Sequence, residues 1–303
     1  MKPTDVTFSS GGAECRGWHF TAVDGAPDRR PAVAMAHGFG GTKDSGLQGF
    51  AERIAAAGFD VLAFDFRGFG DSEGQPRQSV SIDRQIEDYH AAVGAARRLP
   101  GVDPDRIVLW GVSLSGGHVL RVAADRADIA AVIAMTPLTS GVAVSRAAIE
   151  HRDAWSALKW TAQGIRSRFV VARGRSPVMF PIVAPPGSPG ALTLDGAYES
   201  YLGLAGPSWR NEIDSAVGLE VARIRTTAAA KRLRCPLLVQ IADFDRYVPA
   251  DSVTRTAAHG RAQVHHYPCD HFDVWPGHDW FDKAVDDQIA FLTRTLVSTT
   301  PSR

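Results

Sequence analysis

Trp110-Gly111-Val112-Ser113-Leu114-Ser115-Gly116-Gly117 joins a β-prone run, Arg106–Trp110, to a helix-forming segment over residues 114–126. A serine on a strand-to-helix turn of this kind needs small neighbours two places before and two after it, because the backbone folds back tightly. Gly111 meets the first need. Ser115 stands where a second glycine is usual, yet it too is small, and Gly116 follows at once. The turn would lift the Ser113 hydroxyl above the sheet, at a helix N-terminus where the dipole favours developing negative charge. Alone, the octapeptide has two readings of equal weight: a nucleophile, or serines that cap the helix.

The flanks supply the sheet. Val6–Phe8 and Cys15–Phe20, split by Ser9-Ser10-Gly11-Gly12, read as an opening hairpin. Ala32–Ala36 is a buried strand that breaks at His37-Gly38-Phe39-Gly40-Gly41, and a helix over 44–57 ends at Gly58. Val61–Phe64 follows as a strand. Then comes a helix over 81–99 with Ile82, Ile86, Val93 and Leu99 on one broad face, closed by Pro100-Gly101. Ile129–Met135 is a further strand. This strand–helix alternation predicts an α/β fold, a mostly parallel doubly wound sheet with helices on both faces.

At Thr136-Pro137 the alternation stops. Residues 138–230 carry helix-like pieces, Gly/Pro clusters such as Pro185-Pro186-Gly187-Ser188-Pro189-Gly190, and no clear buried strand. The rhythm resumes with a strand at Cys235–Ile241, a helix near 250–259, a last strand at Val264–Tyr267 and a last helix over 281–297. The expected organisation is a core of 1–137 and 231–303, interrupted by a mainly helical insertion over 138–230. The length is compatible: at about 150 residues per domain, 303 residues suggest two domains or one large one.

A serine hydroxyl is a weak nucleophile at neutral pH without a base such as an imidazole. The imidazole in turn needs a carboxylate to fix its tautomer. After the last two strands come Asp243, Asp245 and His271. Asp243 and Asp245 both qualify as the acid. His271 lies in the loop beyond the last strand, where functional groups of an open α/β sheet gather. His265 and His266 fall inside a strand, His118 on the helix after the turn, where packing is its ordinary role, and His278 farther on.

On these residues the chain resembles the α/β-hydrolase superfamily, specifically the bacterial, esterase-like serine hydrolases with an inserted cap, over nearly its whole length. His37-Gly38-Phe39-Gly40-Gly41 is similar to the family's oxyanion loop, and Asp65-Phe66-Arg67-Gly68-Phe69-Gly70-Asp71-Ser72 to its D-x-R-G-x-G-x-S segment. Asp245-Arg246-Tyr247-Val248-Pro249 resembles the acid-bearing D-x-x-V-P segment, and Asp270-His271-Phe272 the histidine loop. Ser115 and Ala242 depart from the pattern, each replacing a common glycine. The resemblance implies Ser113 as nucleophile, His271 as base and Asp245 rather than Asp243 as acid, in the family's chain order. It also implies backbone N–H donors at Phe39 and Leu114 for the oxyanion. His37 reads as a structural loop residue, and Asp65 with Arg67 as a turn and ion pair.

Within the insertion, Trp155, Trp160, Phe169, Met179, Phe180, Tyr198, Tyr201 and Trp209 would make either an apolar roof over the serine or, more ordinarily, the insertion's own core. Arg166, Arg168, Arg173 and Arg175 read as a solvated basic face.

With 33 Lys+Arg against 33 Asp+Glu, the chain has no global pull toward nucleic acid or anionic membrane, and 45% hydrophobic residues exclude wholesale disorder. Cys15, Cys235 and Cys269 are too widely spaced for a zinc site and read as reduced thiols. No signal-peptide run and no membrane span are evident, so a cytoplasmic location is expected. The expected activity is ester cleavage through an acyl-enzyme, with no cofactor or metal. A small acyl ester is the expected partner, neither nucleic acid nor membrane, and a homo-oligomer is compatible with the sequence. A peptidase, amidase or thioesterase would use the same residues, and acyl transfer to an acceptor other than water would look alike. A silent binding pocket is the reading from outside enzymology.

Overall fold

A computed structural model describes residues 2–23, 29–150 and 154–297. The chain opens with a hairpin of β1 (Thr4–Ser10) and β2 (Ala13–Phe20). Its two-residue turn is Gly11-Gly12, with φ of 52° and 79°, the backbone a tight twisted hairpin demands and β-carbons resist. Then follow β3 (Arg30–Ala36), α1 (Leu47–Ala56), β4 (Asp60–Phe64), α2 (Ile82–Ala96), β5 (Val102–Val112), α3 (Leu114–Ala124) and β6 (Ala131–Met135). Between β6 and the next strand of the main sheet lie α4 (Gly141–Glu150), α5 (Ala154–Val171), β7 (Met179–Phe180), α6 (Ala197–Leu204), β8 (Ile213–Asp214), α7 (Val217–Val221) and α8 (Thr227–Lys231). The chain returns through β9 (Leu237–Ala242), α9 (Ala250–His259), β10 (Gln263–Tyr267) and α10 (Phe281–Leu292).

The eight-stranded sheet runs β1-β2-β4-β3-β5-β6-β9-β10, antiparallel at β1/β2 and β2/β4 and parallel elsewhere. Its middle strands are covered on both faces, so they are apolar throughout instead of alternating. Every residue of β4, β6 and β9 is buried. Strand order turns back between β3 and β5: from β3 the chain goes one way to β4, then crosses to the other side for β5. Side-chain crevices of open α/β sheets form at the carboxyl ends of strands at such a switch. Here those ends are Ala36, before the His37 loop, and Val112, before Ser113.

The departures from the sequence expectations have local causes. The first helix starts at Leu47, not 44, because Gly46 takes a left-handed φ of 74° and Thr42–Ser45 close a separate turn, Ser45 N to Thr42 O at 2.9 Å. β5 begins at Val102 instead of Arg106, pairing Arg30 with Val102 ahead of a register shift. The last helix leaves α geometry after Leu292 for a π turn over Thr293–Val297, where three β-branched residues, Thr293, Thr295 and Val297, crowd a regular turn. Residues 138–230 do contain a strand pair, the short β7–β8 ribbon, in which Ile213 and Asp214 are buried. It stands apart from the main sheet. Among the described residues, no helix is long and apolar enough to cross a membrane.

Candidate active site

Ser113 sits between β5 and α3 with φ 53° and ψ −116°, a conformation a side chain adopts only under constraint. The constraint is visible. Its N–H donates to Met135 O at 2.9 Å and its carbonyl accepts from Leu138 N at 2.7 Å, strapping the turn to the end of β6. A β-carbon at Gly111 would lie 2.4 Å from Ser115 O, and one at Gly117 2.3 Å from Leu138 O. The residue in the usual glycine place has its own use: the buried Ser115 hydroxyl accepts from Val112 N at 2.9 Å and donates to Ala36 O at 2.9 Å, tying the turn to β3. The Ser113 hydroxyl makes no capping bond to α3. That removes the capping reading of the octapeptide.

Gly111→Ala should therefore cost about 3 kcal/mol or more, since the new methyl would run into the Ser115–Gly116 backbone, which cannot swing aside as a side chain would. Gly203→Ala, in a helix with open space at that position, should instead gain up to about 1 kcal/mol. Urea midpoints of the two variants check both signs.

His271 Nδ1 and Asp245 Oδ2 are 2.6 Å apart, with side chains 7% and 3% exposed. The other Asp245 oxygen accepts the N–H groups of Tyr247 and Val248 at 2.8 and 2.7 Å, so the turn after the acid orients it. Burial works to lower the His271 pKa. The charge of Asp245, its hydrogen bond and the charge of Asp270 outweigh that and hold the imidazole above the ordinary histidine value. Asp243 goes elsewhere, to His266 Nδ1 at 2.6 Å, in a pair 35% and 50% exposed. His118 is buried against Gln85 at 2.8 Å, and burial pushes its pKa down to about 3. His265 is half-buried and faces Asp287, while His278 is 3.8 Å from Asp273.

Ser113, His271 and Phe39 line one cavity of about 260 Å³. The loop carrying Phe39 packs directly on the serine: a β-carbon at Gly38 would lie 3.2 Å from Ser113 Cβ. Behind it His37 is buried, its pKa lowered to about 4 by burial, with Nδ1 3.0 Å from Gly38 O. Leu114 opens α3 directly after the serine.

Three anchors of this loop were not visible in the sequence. Tyr201 Oη donates to Phe39 O at 2.5 Å, Trp209 Nε1 donates to Gly40 O at 3.0 Å, and Ser208 donates from N and Oγ to Asp44 at 2.9 Å each. From below, Lys43 donates to Asp65 from both its N–H (2.6 Å) and its ammonium (2.8 Å), and pairs with Asp71. The expected Asp65–Arg67 ion pair does not form. Asp65 serves Lys43, and Arg67 is held by Asp88 and Glu87 on α2. A lysine 2% exposed beside Gly40-Gly41 was the missing partner.

Much of the cavity wall comes from the stretch between β6 and β9, including Val144, Trp160, Phe180, Leu192, Tyr201 and Val217. The aromatic residues divide between the two roles expected of them. Trp160 and Phe180 pack edge-on at 4.5 Å and still face the cavity, and Tyr201 stacks on Trp209 at 5.3 Å. Phe169 is 57% exposed under the Arg173 guanidinium, Tyr198 and Met179 are half-buried, and Trp155 lies outside the described side chains. Arg166, Arg173 and Arg175 are exposed, Arg168 pairs with Glu220 at 2.9 Å, and none of the four lines the cavity.

Residues 27–177 match the family described as serine aminopeptidase, S33. The chain is 37% identical to the quorum-quenching protein AidA of Acinetobacter baumannii (strain MDR-ZJ06), over 97% of this chain and 95% of that one. The chain belongs to the α/β-hydrolase superfamily. Over 36% of its length it is 44% identical to the thiohydrolase aneE of Aspergillus aculeatus, covering 34% of that protein. Its fold superposes on the crystal structure of the α/β hydrolase GrgF from Penicillium sp. sh18 with a TM-score of 0.81 at 24% identity, over 98% of this chain and all of that one. Of these three, one is a thiohydrolase and one an α/β hydrolase.

Proposed function

We propose that the protein is a serine hydrolase that cleaves the ester of an apolar acyl group through an acyl-enzyme, with Ser113, His271 and Asp245 as its triad. The observation that carries this reading is that His271, held on Asp245 by a buried 2.6 Å contact, lines the same cavity as Ser113. With Nδ1 engaged by the carboxylate, Nε2 is the nitrogen left to take the serine proton. Ser113 Oγ then attacks the carbonyl carbon, and the backbone N–H groups of Phe39 and Leu114 receive the oxyanion. Collapse expels the alkoxide, which takes the proton back from His271, and water repeats the sequence to release the acid.

The apolar walls favour an uncharged acyl group, and likeness to a quorum-quenching protein points to a small diffusible molecule that carries one. An ester is preferred over an amide because an alkoxide leaves more easily than an amine. The thioester of the same acyl group is a second reading, favoured by the match to a thiohydrolase. We assign residues 138–230 the part of a cap that roofs the site.

A fluorophosphonate probe should label Ser113 alone, and p-nitrophenyl esters of graded acyl length should turn over faster than the matching anilides and thioesters. Faster anilide cleavage would make the enzyme an amidase, and faster thioester cleavage a thioesterase. Tyr201→Phe tests the cap's contact with the loop. Without the bond to Phe39 O, the N–H donor shifts relative to the oxyanion, and kcat should fall about 10- to 100-fold with KM little changed. Steady-state kinetics on one ester reads this split.

A further inference from the structure

The acid loop and the histidine loop are joined by more than the Asp245–His271 contact. One oxygen of Asp270 accepts both the His271 N–H at 2.8 Å and the Arg246 N–H at 3.1 Å. The other oxygen accepts Arg246 Nε at 2.5 Å. The Arg246 guanidinium reaches on to Asp195 O at 2.8 Å, in the stretch between β6 and β9, and also lines the cavity. The Asp270 N–H is itself taken by Asp273 at 2.8 Å. One carboxylate thus holds the backbones of the residue after the acid and of the histidine, with a cation closing the ring.

We propose that Asp270 is a positioning residue that seats His271 against Asp245, with Arg246 as its counter-ion and its tether to the inserted segment. The inference rests on the triad reading above. Two carboxylates, not one, then set the charge around the imidazole. The groups that face this cluster are Asp243, Asp245, Arg246 and Tyr247 from the acid loop, Cys269, Asp270 and Asp273 from the histidine loop, Asp195 from the insertion, and Ser113 across the cavity. Cys269 stays a neutral thiol, its pKa pushed up to about 12 by burial and the surrounding carboxylates. The charges that act on the ring are those of Asp245 and Asp270, the latter paired with Arg246. The Asp270 charge adds to that of Asp245 in holding the His271 pKa above the ordinary value against burial.

A pair of substitutions with opposite signs separates this from a merely structural role. Asp270→Asn keeps an oxygen where both N–H groups are accepted and removes the negative charge. It should shift the acid limb of the kcat/KM profile to lower pH, by up to about one unit. Arg246→Met leaves Asp270 uncompensated and should move the same limb to higher pH. Asp270→Ala, which also removes the acceptor, should lower kcat about tenfold with KM nearly constant. NMR titration of the His271 imidazole in each full-length variant reads the same shifts without turnover, so failure of the ester reading leaves this test intact. Shifts of like sign in the Asn and Met variants, or an unmoved His271 in both, would overturn the proposal.

Discussion

Ser113→Ala should lower ester turnover by about 10⁴- to 10⁶-fold and abolish fluorophosphonate labelling, while the protein unfolds at nearly the same urea concentration as wild type. The two halves of this expectation come from different atoms. The strained turn is held by the backbone, Ser113 N on Met135 O and Ser113 O under Leu138 N, and alanine keeps both bonds. The hydroxyl makes no capping bond to α3 and Ser113 lines the cavity, so its loss removes only the proposed attacking group. Labelling at another residue, or turnover undiminished in the variant, would sink the nucleophile assignment. A folded wild type with neither labelling nor turnover would leave the cavity as a binding site alone.

Asp245→Asn should cost about 10⁴-fold in kcat, and the cause is a tautomer. Asp245 Oδ1 is committed to the N–H groups of Tyr247 and Val248. An asparagine in its place keeps its oxygen there and turns its NH₂ toward His271 Nδ1. That nitrogen must then accept, the ring proton moves to Nε2, and the imidazole no longer takes a proton from Ser113. Asp243→Asn is the control. Its partner is the exposed His266 ring, outside the cavity, and kcat should change less than about twofold. Equal losses in the two variants would return the choice of acid to the ambiguity the sequence left open.

The parts legible in the sequence were those written in short-range pattern. Ala32–Ala36 and Ile129–Met135 announce buried strands by composition, and the halt at Thr136-Pro137 marks where the sheet is left. Asp245 and His271 fall in the same two loops that the structure brings together, because each follows directly on a strand of one parallel sheet. What stayed hidden was pairing across distance. Nothing near Lys43 reveals that its ammonium is buried on Asp65, so the sequence pairs Asp65 with its near neighbour Arg67 instead. Tyr201 and Trp209 read as apolar bulk, since a sequence shows a ring but not where its polar end points. Their hydrogen bonds to carbonyls some 160 residues away are set by tertiary packing alone. Ser115 reads as a mild departure from glycine, and the bond of its hydroxyl to Ala36 O depends on β3 standing beside β5.

The bonds from Tyr201, Trp209 and Ser208 to the loop at residues 38–44 bear on grafting between relatives. A chimera that replaces residues 138–230 with the corresponding stretch of another hydrolase exchanges more than the shape of the substrate chamber. The donor must bring an O–H for the carbonyl of Phe39, an N–H for that of Gly40 and a partner for the Asp44 carboxylate. Library designs that randomise cavity-facing positions while holding these three donors constant keep the loop in place, and changes in selectivity can then be read apart from damage to the catalytic frame.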